Sequence, residues 1–379
     1  MNFDSFNLHP SILANVHALG YSTPTPIQEQ SIPIVMSGKD VMGLAQTGTG
    51  KTAAFVLPIL QRLMTGPRSC ARALIVAPTR ELAQQIHEAI VELCKGTGLK
   101  SMTLYGGVNI NPQIKQLKTG VEIIVACPGR LLDHVQQRTI HLDKIEVLVL
   151  DEADQMFDMG FLPSIRKILR LLPKKRQTLL FSATMPTAIN ELAHDALHQP
   201  VTVEAGRHSA PAASVQQVLF PVMKQLKTDL LIKILHKTQI ESVLVFTRTK
   251  RGAKQVAIKL GEAGFRATSL QGNLSQNKRL SAMNGFRDGS LQILVATDIA
   301  ARGIDVTRIS HVINYDMPST VESYIHRIGR TGRADKEGEA YTLTTQEDSL
   351  LIRKIERVMG NKLEQRKLSD FNYDTKRNG

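Results

Sequence analysis

Short aliphatic and β-branched runs alternate with stretches of helical periodicity, and this alternation restricts the fold more than any other feature of the chain. The first half carries "ALIVAP", "SMTLYG", "VEIIVACP", "VLVLDEAD" and "TLLFSAT"; the second carries "SVLVFTRT", "ATSLQG", "LQILVATD" and "HVINYD". Most of these runs have no polar face, so both sides must be covered, which predicts parallel strands under helices. Two similar α/β units in tandem are expected, and 379 residues suit two domains of roughly 150 each. Between them "EAGRHSAPAASV" is small, polar and proline-bearing, as a linker is. The expected limits are 1–206 for the first domain, 207–214 for the linker, 215–365 for the second domain and 366–379 for a short polar tail.

"GLAQTGTGKT", residues 43–52, follows Val41 and Met42 and precedes "AAFVLPIL". Gly48 and Gly50 leave room for backbone N–H groups to wrap a phosphate, so Ala45, Gln46, Thr47, Gly48, Thr49 and Gly50 form the cradle. Lys51 then reaches the outer phosphates, Thr52 puts a hydroxyl on magnesium, and a helix start faces the anion. Ala45 stands where the usual pattern has glycine, ahead of the bend. Only the first half has such a loop, so the second is expected to complete the site.

In "VLVLDEAD", Asp151 and Glu152 close a buried strand, where α/β sheets place their ligands. Asp151 can hold magnesium through water, Glu152 can orient or deprotonate the attacking water, and Asp154 can anchor a neighbouring loop. Acids also favour a helix N-terminus for its own sake. "YIHRIGRTGR" spaces Arg327, Arg330 and Arg333 three apart with glycines between, which predicts a turn with Arg330 and Arg333 as arginine fingers. A solvated charge run is the plainer alternative.

A formal charge of +13 favours an anionic polymer as partner, although it also suits solubility or an acidic membrane. Cys70, Cys94 and Cys127 lack metal or disulfide spacing and read as free thiols. "MNFDSFNLHP" does not read as a signal peptide, and no apolar run approaches the roughly 20 residues of a membrane helix. A cytoplasmic enzyme is expected.

The chain resembles the DEAD-box RNA helicases: "GYSTPTPIQ", "AQTGTGKT", "PTRELA", "DEAD", "SAT", "VATDIAARGID" and "HRIGRTGR" occur in the family's order. "MNFDSF" and the compact core are most like the bacterial RhlE type. The resemblance implies two RecA-like domains, ATP and Mg2+ as cofactors, and RNA as partner, with ribonucleoprotein, RNA-decay or ribosome-assembly proteins beside it. Ala45 is ordinary in this family. Gln28 would read the adenine edge and Phe3 would stack on the ring, favouring ATP over GTP. Ser182 and Thr184 would couple nucleotide to RNA near Asp154 and His326, and Asp305 would contact the ribose. RNA would be gripped by Thr79, Arg80, Gly106, Gly107, Pro128, Gly129, Arg130, Arg248, Gly272, Arg279 and Thr297. Such groups hold phosphates and 2′-hydroxyls without reading bases, so binding should tolerate sequence and weaken with salt. With aromatics at 4% and no tryptophan, no base-stacking platform is expected.

Two positions depart from the family: Cys127 replaces the usual threonine of "TPGR", and Gln271 the usual histidine before Gly272. The expected activity is RNA-dependent ATP hydrolysis that closes two domains and separates short duplexes or remodels RNA–protein complexes. A nucleotide-gated RNA clamp without unwinding is the alternative, and a DNA translocase a third.

Overall fold

The computed structural model describes residues 2–45, 48–204, 215–301, 309–332 and 338–374. It divides into two units, 1–207 and 208–379; the expected linker, 207–214, lies outside the described residues.

The first unit runs α1 (Pro10–Ala18), α2 (Pro26–Met36), β1 (Val41–Leu44), α3 (Lys51–Leu63), β2 (Ala73–Val76), α4 (Arg80–Leu93) and β3 (Ser101–Leu104). It continues with α5 (Ile110–Lys118), β4 (Ile123–Ala126), α6 (Pro128–Gln136), β5 (Val147–Leu150), α7 (Ala153–Asp158), α8 (Leu162–Leu171), β6 (Gln177–Ser182), α9 (Thr187–Ala196) and β7 (Val201–Glu204). The second has β8 (Val215–Pro221), α10 (Lys227–Lys237), β9 (Val243–Phe246), α11 (Lys250–Glu262), β10 (Ala267–Leu270), α12 (Gln276–Arg287), β11 (Ile293–Ala296) and α13 (Asp298–Ala301). It ends with β12 (His311–Asn314), α14 (Val321–Ile328), β13 (Gly338–Thr344), α15 (Ser349–Met359) and β14 (Glu364–Gln365).

Apolar runs without a polar face are covered twice, as their composition demands. In β2, Ala73 and Ile75 enter one core with Phe55 and Leu57 of α3, while Leu74 and Val76 enter the other with Leu148 and Ile165. Each fully buried aliphatic contributes about 2 kcal/mol relative to exposure. All strand pairs in both sheets are parallel, each sheet has seven strands, and this is the tandem RecA-like arrangement.

Strand order decides which motifs meet. The first sheet reads β3-β4-β2-β5-β6-β1-β7, so the loops after β5, β6 and β1 are neighbours, and so are those after β3, β4 and β2. The second reads β10-β11-β9-β12-β13-β8-β14, and the loops after β10, β11 and β9 adjoin in the same way. Threonine side chains close three of the connecting loops as helix caps: Thr79 Oγ1 accepts from Leu82 N at 3.2 Å, Thr249 Oγ1 from Gly252 N at 3.0 Å, and Thr320 Oγ1 from Ser323 N at 3.1 Å.

One sequence expectation is corrected. "YIHRIGR" is not wholly a turn: α14 continues to Ile328, and Arg327 sits in its last turn, pointing inward at 3% exposure. The helix ends at the first glycine, Gly329, which is its C-cap.

Candidate functional site

Register brings the phosphate loop to the end of β6. Leu44 pairs with Ser182, and Ala45 N donates to Ser182 O at 3.1 Å. Lys51, the first residue of α3, is buried and donates Nζ to Ala45 O at 2.9 Å. Gly50 has φ +89°, and a Cβ there would stand 2.5 Å from Gln28 Nε2, so only glycine fits. Gln28 itself is 5% exposed: Oε1 accepts from Thr25 N at 2.9 Å, and Nε2 donates to Gly50 O at 3.0 Å. The amide expected to read adenine is thus tied to the loop that holds phosphate. Gln46, Thr47, Asp305 and Arg333 lie outside the described residues. Thr49 and Thr52 are both half-buried.

The acidic motif follows β5. Asp151 is 2% exposed; burial pushes its carboxyl up, opposed by Lys51 and by the Glu152 backbone N–H at 3.0 Å. Glu152, 3% exposed, holds φ +52°, a left-handed conformation costing about 1 kcal/mol or more in a residue with a Cβ. Asp154 Oδ2 accepts from Thr184 N at 3.0 Å and Thr184 Oγ1 at 3.1 Å. Asp154 N donates to Ser182 Oγ at 3.3 Å, and Ser182 Oγ to Thr184 O at 2.7 Å. Three of the four expected coupling residues therefore share one network; His326 stands on α14 of the second unit.

Phe3 has no face to offer a base: it is 1% exposed, edge-on to Phe6 and 6.0 Å from the Tyr21 ring. Tyr21, which sequence reasoning passed over, keeps 36% of its surface open.

Thr52 and Asp151 are the residues that could hold a metal. A hydroxyl and one carboxylate are hard oxygen donors, and no cluster of three or more His, Cys, Asp or Glu occurs among the described residues. This set fits magnesium, which keeps several waters and takes its other ligands from phosphates.

The expected RNA residues of the first unit meet at the ends of β3, β4 and β2. The Arg80 guanidinium lies against Gly107, whose φ of +76° and missing Cβ make the space. Arg130, with 10% of its side chain exposed, donates Nη2 to Val108 O at 2.9 Å and places Nε 3.5 Å from Asp133. Its Nε and Nη1 are buried without a hydrogen-bond acceptor among the described residues. Gly129 opens the first turn of α6 with nothing within 4 Å of a Cβ built on it, and Pro128 beside it is buried. Thr79 spends its acceptor lone pair on the α4 cap, leaving its proton to donate.

Cys127 is the N-cap of α6, makes no side-chain cap, and packs in the core at 9% exposure. Burial chiefly, with Glu81 adding and Arg80 opposing, pushes its thiol up to about 12. Cys127→Thr puts a capping hydroxyl at this position, with an expected gain of about 1 kcal/mol in stability and a several-fold gain in RNA affinity, since a hydroxyl donates better than a thiol. Thermal melting and RNA titration with AMP-PNP check both; lower stability with unchanged affinity would show that the thiol serves only the core.

In the second unit the corresponding strand ends are again adjacent. Arg248 donates its backbone N to Asp316 Oδ2 at 2.9 Å and Nη2 to Met317 O at 3.5 Å. Thr297 immediately precedes α13, its carbonyl accepting from Ala300 N and Ala301 N at 2.9 Å. Gln271, the second departure, is a turn former: Oε1 accepts from Asn273 N at 2.7 Å, and its carbonyl takes Arg279 Nη1 at 3.4 Å. Lys250 was missed by sequence reasoning. It crosses Gly272, with Nζ 3.2 Å from where a Cβ would be, and donates to Asn273 Oδ1 at 3.3 Å.

Arg330 is buried at 8% exposure in the turn after α14. Arg327 serves the fold instead. It grips Asp298 with Nε at 2.6 Å and Nη2 at 2.7 Å, gives Nη1 to Asn314 Oδ1 and Asp316 O, and lies 4.9 Å from the Phe246 ring centre.

Comparison with known proteins agrees with this geometry. Residues 25–192 match the DEAD/DEAH box helicase family, and residues 226–335 match the helicase conserved C-terminal domain. The chain is 42% identical over 368 residues to the DEAD-box ATP-dependent RNA helicase CshA of Bacillus subtilis, covering 97% of this chain and 74% of that protein. With the CshA helicase of Listeria monocytogenes it shares 43% over 354 residues, covering 93% and 68%. Among solved structures it resembles S. cerevisiae Dbp5 bound to RNA and ADP BeF3, at 30% identity and TM-score 0.85 over 96% of this chain and 95% of that one. Mss116p bound to ssRNA and AMP-PNP is similar at 26% identity and TM-score 0.87, over 97% and 79%. The relatives named are CshA rather than RhlE proteins. No helix among the described residues is long and apolar enough to cross a membrane.

Proposed function

The chain belongs to the DEAD-box ATP-dependent RNA helicases, and on that premise we propose how its residues divide the work. It is an RNA-dependent ATPase that unwinds short duplexes or remodels RNA–protein complexes. The observation that carries the division of roles is topological: nucleotide residues follow β5, β6 and β1, while RNA residues follow β3, β4 and β2, on one edge of one sheet.

On this reading Lys51 moves from Ala45 O to the outer phosphates, and Gln28 exchanges Gly50 O for the adenine edge. Tyr21 offers its open face near the base, with Phe3 behind it. Thr52 and Asp151 would hold magnesium, which when bound would neutralise phosphate charge. Glu152 orients the attacking water. Arg330 and Arg333, with Asp305 on the ribose, come from the second unit, so hydrolysis needs the two units closed on ATP and RNA. Asp154, Ser182 and Thr184 transmit that state, with His326 from the second unit as their partner. The donors of Arg130 left without acceptors suit an RNA phosphate, and Lys250 joins Arg248, Gly272, Arg279 and Thr297 in the same task. The setting is cytoplasmic. The finer RhlE-type reading rests on "MNFDSF" and the compact core; identity to CshA carries the family and not that subgroup.

A strand-release assay tests the activity. With ATP, a short labelled strand should leave an RNA duplex and not a DNA duplex. ATP-dependent retention on single-stranded RNA without any release would make the protein a clamp instead.

A further inference from the structure

The stretch 162–176 carries Arg166, Lys167, Arg170, Lys174, Lys175 and Arg176 and no acid, a large share of a net charge of +13. None of the nucleotide or RNA roles uses it. Here α8, the segment entering β6 and the end of α9 enclose a cleft of about 560 Å³. Arg166, Arg170, Lys174, Arg176 and His198 form its cationic rim. Leu169, Ala196 and Leu197 give it an apolar floor, and Leu171 beside it is 45% exposed. The single acid in the wall, Asp195, lies 3.6 Å from Arg166.

Arg176 and His198 precede β6 and β7, so the cleft opens at the N-terminal edge of the first sheet. Strands of four to six residues, rising about 3.3 Å per residue, separate it from the edge bearing Lys51, Asp151 and Arg130. A molecule bound here leaves that edge uncovered.

We propose that this cleft docks an acidic, leucine-bearing segment of a partner protein. Charge complementarity requires an acidic occupant, and the apolar floor requires that it bring aliphatic side chains as well. RNA suits it less. The cleft lacks the glycine and hydroxyl contacts found on the opposite edge, and Asp195 repels a continuous phosphate backbone, whereas a peptide places its acids singly. The proposal is independent of the roles given to the catalytic residues.

Fluorescence anisotropy on the full chain tests it, with a short labelled peptide of glutamates interspersed with leucines, poly-glutamate of equal length, inorganic polyphosphate and a single-stranded RNA with AMP-PNP. The mixed peptide should bind more tightly than poly-glutamate or polyphosphate. Arg170→Glu with Lys174→Glu should weaken it by about tenfold or more, and Arg170→Gln with Lys174→Gln by less. Both side chains are exposed, so melting temperature, RNA affinity and RNA-stimulated ATP turnover should stay at wild-type values. Absence of peptide binding, equal binding of poly-glutamate or polyphosphate, or a parallel loss of RNA affinity would each overturn the proposal.

Discussion

Lys51→Ala should reduce RNA-stimulated ATP turnover by about a hundredfold or more, because the cation proposed for the outer phosphates is lost from a buried site. In this structure Lys51 Nζ donates to Ala45 O, and it is the cation that opposes the burial of Asp151. Neither contact builds either core: α3 is held by Phe55, Leu57 and Leu60. The variant should therefore fold with its thermal transition retained while phosphate release collapses. Turnover within a few-fold of wild type would remove the phosphate loop from the site. Loss of folding together with turnover would mean that Lys51 chiefly compensates the buried Asp151, a structural reading that a methionine at position 51 would share.

The parts of this fold plainest in sequence are those buried on both faces, while "SMTLYG" and "ATSLQG" carry a weaker signal at the half-buried sheet edges. "ALIVAP", "VLVLDEAD" and "LQILVATD" are unbroken apolar runs, and the structure places them centrally in β2, β5 and β11. The strands passed over are β7, β8, β13 and the two-residue, exposed β14. In β7, Thr202 and Glu204 are exposed at the sheet margin, and in β8 Gln216 is exposed, so neither presents a continuous apolar signal. For β13, "GEAYTLT" opens on Gly338, packed against Thr331 and Gly332, and polarity hides its burial. The site divides in the same way. Loop chemistry marks Lys51, Asp151 and Asp154 as candidates, since glycines and acids at strand ends carry a local signature. Lys250 over Gly272 has none, because the two follow different strands and meet only through the sheet order. Phe3 shows the limit of resemblance: the stacking role that the family implies meets a ring buried edge-on against Phe6.

Arg327→Met should destabilise the second unit by about 3 kcal/mol, within the range for breaking a buried, hydrogen-bonded ion pair. Spacing alone groups Arg327 with Arg330 and Arg333, yet its guanidinium is spent on Asp298, Asn314 and Asp316 O, which binds β12 and α13 to α14. Methionine fills much of the volume but leaves Asn314 Oδ1 and Asp316 O without that donor. Asp298, with 41% of its side chain exposed, recovers water, which keeps the loss from being larger. Because Arg330 follows α14 in the next turn, turnover falls as well, but as a consequence of local unfolding. Arg330→Ala provides the contrast: it should lower turnover strongly while the melting temperature and nucleotide-free RNA affinity stay near wild type. Differential scanning calorimetry beside steady-state phosphate release separates the two variants. If Arg327→Met melts like wild type and loses turnover as Arg330→Ala does, Arg327 belongs to the chemistry and its contacts to Asp298 and Asn314 give way when ATP and RNA bind.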